Sequence, residues 1–519
     1  MWISANRSHL VWTPLLGWIL LSCAAASAQV QMAQAPPAAA GAAAGTDGGA
    51  ATPATVIPPG GAAPAPPSTL TRDETPGRRD AATPDQQTTP TGARAGSVIG
   101  GFGPIGITPS VQSSISSSVA SSIATSVQTP FGGGGAPRDD LGVTLGSFRL
   151  FPQIEVNVGS DSNVFAQNAS QGTVGSLYTS ILPSLELRSQ WLNHELRGVL
   201  NGGFGFYANA PSQNYQNYTA RVDAKLEIQQ DFYVPVSVGY RRQTEPLGTP
   251  NTTAVSAPTV VDIIPVRIGL YQRFNRFFYE ASASATRYWH HDFSNLVSGG
   301  LPASSRDRIE YEERIRLGYE ITDDFAIFIQ PAINQRRYTN FFNVAGQERN
   351  SDGFNMGVGF TQKFTATSSI EGNLGYQTQN YITGPTSDYT FGLSGNWTGY
   401  APLTLRPNIS RSITESALST YKNIVSTVLG LDFTYVIHDA WTAIGGFSVN
   451  NAEYNPVDAT VTQPRTDRIY RGQLGVLYSF RPEFQIGPVF EYTKGTSTDN
   501  VGGPAYDRRV VFLRLVGKR

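Results

Sequence analysis

The sequence predicts an all-β protein, a transmembrane antiparallel up-and-down β-barrel of about 18 strands (16 being the alternative even count), preceded by a disordered tether. Three observations predict it. From about residue 148 to the end, segments of ten to eighteen residues alternate apolar and polar side chains, which is the period of a strand. Short connections alternate with longer polar ones along the same region. Charged residues make up 15%, against about 25% in soluble domains, while the mean hydropathy of −0.20 argues against a bundle of apolar helices.

The chain opens MWISANRSHLVWTPLLGWILLSCAAASAQ. Arg7 and His9 form a basic lead, residues 10–21 an apolar core, and Ala26-Ser27-Ala28 a small-x-small cleavage site, so residues 1–28 read as a secretory signal peptide. Leu20-Leu21-Ser22-Cys23 also has the form of a lipoprotein site, so cleavage after Ala28 and lipidation of Cys23 are both open. Cys23 is the only cysteine, and its loss with the leader would leave no thiol for disulfides or cysteine metal sites. Residues 29–140 are rich in Ala, Pro, Gly and Ser and hold too little apolar surface to offset chain entropy. They read as a periplasmic tether. Within it, Val and Ile recur among serines over residues 107–128, as in a short helix or a plug, or simply a Ser-rich linker.

Residues 148–519 form the barrel. Asn217, Thr219, Arg221, Asp223, Lys225, Glu227 and Gln229 make one face, opposed by Tyr218, Ala220, Val222, Ala224, Leu226 and Ile228. In RDRIEYEERIRLGYEI (residues 306–321), Arg306, Arg308, Glu310, Glu312, Arg314 and Arg316 share the even face. The odd face carries Ile309, Tyr311, Ile315, Leu317, Tyr319 and the exceptional Glu313. Tyr421, Val425, Thr427, Leu429, Leu431, Phe433 and Tyr435 make another apolar face.

These strands are two to three times the ~5–6 residues usual in soluble sheets. A closed sheet of about 18 strands is too wide for side chains to fill. The polar faces therefore line water and the apolar faces meet lipid, where every backbone group must be paired by closure. Candidate lumen-lining residues are Arg221, Asp223, Lys225, Glu227, Arg306, Arg308, Glu310, Glu312, Arg314, Arg316 and Arg471. Each either sets a selective field or merely braces and solvates the wall.

Asp161-Ser162-Asn163-Val164-Phe165, Leu182-Pro183-Ser184-Leu185-Glu186-Leu187 and Trp191-Leu192-Asn193-His194-Glu195-Leu196 resemble the family described as putative β-barrel porin 2. The resemblance covers the chain from about residue 148 and implies a Gram-negative outer-membrane barrel. Some barrels of this general kind are associated with polysaccharide export, which is an analogy of fold only. The chain departs from many such barrels at its end, where the last residues are basic and Phe512 is internal.

Searches for chemistry return little. Adjacent His290 and His291 with Asp292 invite a metal, but neighbours on a strand point to opposite faces. There is no G-x-S-x-G or H-E-x-x-H, and Gly132 to Gly135 lack a phosphate-loop lysine. The expectation is a non-enzymatic conduit without cofactor, passing small hydrophilic solutes or an exported polysaccharide. Its expected partners are outer-membrane lipid and lipopolysaccharide, and export or cell-wall components met by the tether. The net charge of −1 argues for no nucleic acid. The alternatives are a non-conducting assembly protein and, behind it, a barrel enzyme. Both termini are expected in the periplasm.

Overall fold

The structure is a computed structural model that describes residues 142–250, 257–291, 303–340, 348–365, 368–400, 402–418, 420–457, 464–499 and 503–519. The leader with Cys23, the tether and its Ser-rich segment lie outside the described residues.

The strands are β1 (Val143–Leu145), β2 (Phe148–Asp161), β3 (Ser176–Ser189), β4 (Glu195–Tyr207), β5 (Tyr215–Gln229), β6 (Phe232–Glu245) and β7 (Thr259–Phe274). Next come β8 (Phe277–His291), β9 (Arg308–Glu320), β10 (Phe325–Tyr338), β11 (Ser351–Thr365), β12 (Ser368–Tyr381) and β13 (Gly384–Tyr400). The last are β14 (Leu403–Glu415), β15 (Tyr421–His438), β16 (Trp441–Pro456), β17 (Thr466–Arg481), β18 (Phe484–Ser497) and β19 (Tyr506–Lys518). Each long strand pairs antiparallel with its sequence neighbours, and β19 pairs with β2 from Val510↔Asp161 to Lys518↔Gln153. The eighteen strands β2–β19 thus form the predicted closed barrel. The three-residue β1 takes over the edge of β2 just beyond the end of β19.

Local chemistry sets the connections. The two-residue turns after β5 and β7 need backbone at positive φ, and Asp231 (φ 63) and Asn275 (φ 56) supply it. Strands β12 and β13 are joined by the two residues Ile382-Thr383. Strand β2 starts and β19 ends at the same end of the barrel, that of the tight turns.

The faces follow the alternation. Leu374, Val358, Ile315, Leu513 and Leu474 point outward and are exposed, while Gln377, Glu155, Arg514 and Asn157 point inward and are buried. Aromatics collect on the outer rim of the tight-turn end, with Phe277 against Tyr319 and Phe480 against Phe484. Others stack inside, as Tyr233 does on Tyr271 at 4.6 Å and Tyr178 on Tyr207 at 5.5 Å.

Two expectations are corrected. Arg306 is not on the strand. It ends a 3-10 turn, Ala303–Arg306, in which the Asp307 amide donates to the Ser304 carbonyl, and pairing begins at Arg308. Nor does the apolar face of β15 run outward for its whole length, because Val425 is buried whereas Leu429 and Leu431 are exposed.

Candidate functional site: the charged lumen

The inner face of β9 is the densest row. Arg308 Nε donates to Glu310 Oε1 at 2.7 Å, and Arg314 pairs with Glu312. Alternation makes residues two apart neighbours on one face, so these pairs are written into one strand. Other contacts cross strands. Arg316 donates to Gln330 of β10 (2.9 Å) and to Glu371 of β12 (2.9 Å). Arg267 of β7 meets Glu280 of β8 at 2.8 Å. Arg308 also lies 4.3 Å over the Tyr288 ring, and Arg316 4.1 Å over Phe328, so each guanidinium keeps an aromatic face beside its carboxylate.

The β5 row behaves similarly. Arg221 pairs with Asp223 at 2.7 Å and Lys225 with Glu195 at 3.0 Å. Glu227 lies near the tight-turn rim, where its amide donates to His194 Nδ1. Across the barrel, Arg471 of β17 pairs with Glu491 of β18 at 2.7 Å. Arg306, from its turn, makes a two-pronged pair with Glu245 at the end of β6 (2.7 and 2.9 Å). The predicted residues therefore do not meet in one site. Those of β9 form a continuous ladder, those of β5 a second, and Arg306 and Arg471 join separate pairs.

Three groups escaped the sequence reading. Arg508 binds Asp161 (2.5 Å) and Arg514 binds Glu155 (3.3 Å), so both ion pairs fasten the closing seam between β19 and β2. Arg197 of β4 donates to Glu186 of β3 at 2.5 Å. Arg336 of β10 pairs with Glu415, 79 residues away. Arg508 and Arg514 alternate with Arg509, Val511 and Leu513, so parity alone could have placed them inside. No local signal connects Arg336 to Glu415.

The adjacent histidines do diverge. His290 Nδ1 meets Asp307 at 3.1 Å, while His291 Nε2 meets Asp262 at 2.7 Å on the outer face beside Arg242. No cluster of three metal-ligating side chains occurs among the described residues.

A family model described as putative beta-barrel porin 2 matches residues 136–519. Solved structures with similar folds include OpdO of Pseudomonas aeruginosa, at 13% identity and a TM-score of 0.38, covering 73% of this chain and 98% of that one. The siderophore receptor PiuA of Acinetobacter baumannii matches at 12% identity and a TM-score of 0.38, over 73% of this chain and 82% of that one. A mutant of the ferric enterobactin receptor PfeA of Pseudomonas aeruginosa matches at 8% identity and a TM-score of 0.36, over 71% and 80%. No curated protein matches the sequence.

Proposed function

The chain belongs to the putative beta-barrel porin 2 family, and from that premise we propose that it is a non-enzymatic outer-membrane conduit for hydrophilic solutes or an exported polysaccharide. The observation that carries this reading is the β9 ladder, an unbroken file of charged inner-face side chains from Arg308 to Arg316. Such a file gives a solute polar partners along the wall and a field that discriminates its charge. The tight-turn end, where β2 starts and β19 ends, faces the periplasm in this reading. Exposed outward-facing Arg287, Arg468 and Arg509 sit near the opposite rim, where lipopolysaccharide phosphates would meet them.

The test is single-channel recording of the refolded mature protein in a planar bilayer under a salt gradient. The expected result is stable current steps with a defined reversal potential. Replacing Arg314 and Arg316 by Ser leaves Glu312 and Glu371 without these cations, so the reversal potential should move toward cation preference. Unchanged selectivity would remove the ladder from the ion path.

A second reading is a non-conducting barrel whose tether binds export or cell-wall partners. The full burial of the Arg336 and Arg514 side chains favours it, since it indicates a crowded lumen. A folded, inserted but silent barrel would select this reading. Deleting residues 29–138 would then abolish partner binding.

A further inference from the structure

The wall between β13 and β14 is not paired over its full height. Their register runs from Tyr400↔Leu403 to Phe391↔Arg411 and stops, although β13 continues to Gly384 and β14 to Glu415. Beyond that point β14 stays paired with β15 up to Glu415↔Asn423, and β15 with β16 up to Tyr421↔Pro456. The end of the β14–β15 hairpin has therefore parted from β13 as a unit.

Burial shows where it goes. Ile413, Asn423 and Val425 share the outward parity of Leu429 and Leu431. Leu429 and Leu431 are 44% and 43% exposed, but Ile413 and Asn423 are 0% and Val425 is 4% exposed. Side chains that would face lipid on an upright strand are enclosed here, so the tip leans over the lumen. Its destination is β10, four strands round the wall. At about 4.8 Å per strand that is a distance of about 19 Å, more than an Arg and a Glu side chain span together. The hairpin backbone itself must make most of the crossing, and Arg336 Nη2 indeed donates to the Ile413 carbonyl at 2.8 Å.

Glu415 is the anchor. Its carboxylate pairs with Arg336 and accepts from Tyr338 (2.6 Å) and Tyr381 (3.1 Å). The parted edge is held by side chains: Arg411 donates to Asp388 at 2.8 Å, and Asn423 to the Thr386 hydroxyl at 2.8 Å.

We propose that this hairpin tip, residues 412–418, sets the aperture and charge selectivity of the lumen, with Glu415 as the specificity-determining residue that holds it inward. The inference rests on the conduit reading. The element responsible is a short hairpin, not one of the long loops. Glu415→Gln removes the countercharge of Arg336 and weakens the acceptor for both tyrosines. The tip is released, the passage widens, and the loss of one negative charge beside Arg336 shifts the lumen toward anions.

The test uses the full chain with Cys23→Ser and a reporter, Ala417→Cys, at a position 2% exposed. The reporter should resist a polymer-linked maleimide when Glu415 is present. With Glu415→Gln it should react at least about tenfold faster, because breaking one side of a buried ion pair shifts an opening equilibrium by more than a factor of ten. Single-channel conductance should rise, and the reversal potential should move toward anions. Should Glu415→Gln fail to fold, the double variant Tyr338→Phe with Tyr381→Phe keeps the ion pair and should give a smaller gain in both readouts. Free labelling with Glu415 present overturns the inward hairpin. Faster labelling with unchanged conductance overturns its role as a constriction. A protein silent in every form, with labelling as expected, overturns the conduit itself and with it the constriction, and leaves the hairpin where the structure puts it.

Discussion

Two arcs of the lumen solve the same problem differently. In the arc from β5 to β9 the inward rows of β5 and β9 are rich in charge, and each predicted arginine or lysine of these two ladders finds a carboxylate on its own strand or a nearby one. On β11–β13 the middle of the wall carries Asn355, Asn373, Gln377, Thr390, Ser394 and Asn396. Its two inward acids, Glu371 and Asp388, are taken by arginines from outside it, Arg316 of β9 and Arg411 of β14. An amide both donates and accepts, so it can be satisfied by a like neighbour, whereas a guanidinium requires a carboxylate in the right register. The neutral arc also needs space. A Cβ at Gly353 would come within 2.1 Å of Gln379 Oε1 and 2.4 Å of Asn334 Nδ2. The charged arc is therefore the specific and fragile one, and the amide arc the tolerant one.

Removing one partner of a buried ion pair breaks the comparison most severely. Arg308→Leu leaves Glu310 enclosed on β9 without its Arg308 partner, within the charged arc. A cost of about 3–5 kcal/mol is expected, read as a lowered urea midpoint of the barrel in lipid vesicles. Gln377→Leu in the neutral arc should cost less than about 2 kcal/mol, the range for losing neutral hydrogen bonds. Equal losses would mean that the arcs do not differ in the way described.

A second contrast uses neighbouring residues on β12. Leu374 is exposed on the outer face and Asn373 points inward. Leu374→Arg should destabilise the barrel by about 2–4 kcal/mol, the cost of an arginine near the middle of the lipid face. Asn373→Arg should leave the urea midpoint nearly unchanged and move the reversal potential toward anions. Two variants that behave alike would contradict the assigned faces.

The period-two alternation made most of this legible, because lipid outside and water inside impose opposite demands on consecutive residues. Pairs two apart, such as Arg308–Glu310 and Arg221–Asp223, could be read directly. What was hidden depends on partners distant in the chain. The seam pair Arg508–Asp161 spans 347 residues, and Glu415 reaches Arg336 only because its hairpin leaves the wall. The same departure buries Val425, whose alternation matches that of Leu429 although its surroundings do not. Arg306 was misplaced for a local reason: alternation continued by chance into the turn that precedes β9.

Glu313 gives the smallest and most local test. It sits on the outward row of β9, exposed between Tyr311 and Ile315, with Ala283 and Ile333 opposite it on the neighbouring strands. Tyr311 and Tyr319 are the two aromatics of that row, with only Ile309 beyond Tyr311. One outward position in from Tyr311, on a strand tilted by about 40°, places Glu313 about 5 Å deeper than the Tyr311 position. That depth is close to the headgroups, where acidic side chains cost less than basic ones at mid-membrane. Glu313→Leu should therefore raise stability by only about 1 kcal/mol, measured again by urea unfolding. The gain should depend on bilayer thickness: a thinner membrane brings the headgroups down to Glu313 and erases the benefit, and a thicker one enlarges it. A gain independent of thickness would place Glu313 away from the hydrocarbon edge, and with it the level assigned to Tyr311 on this side of the wall.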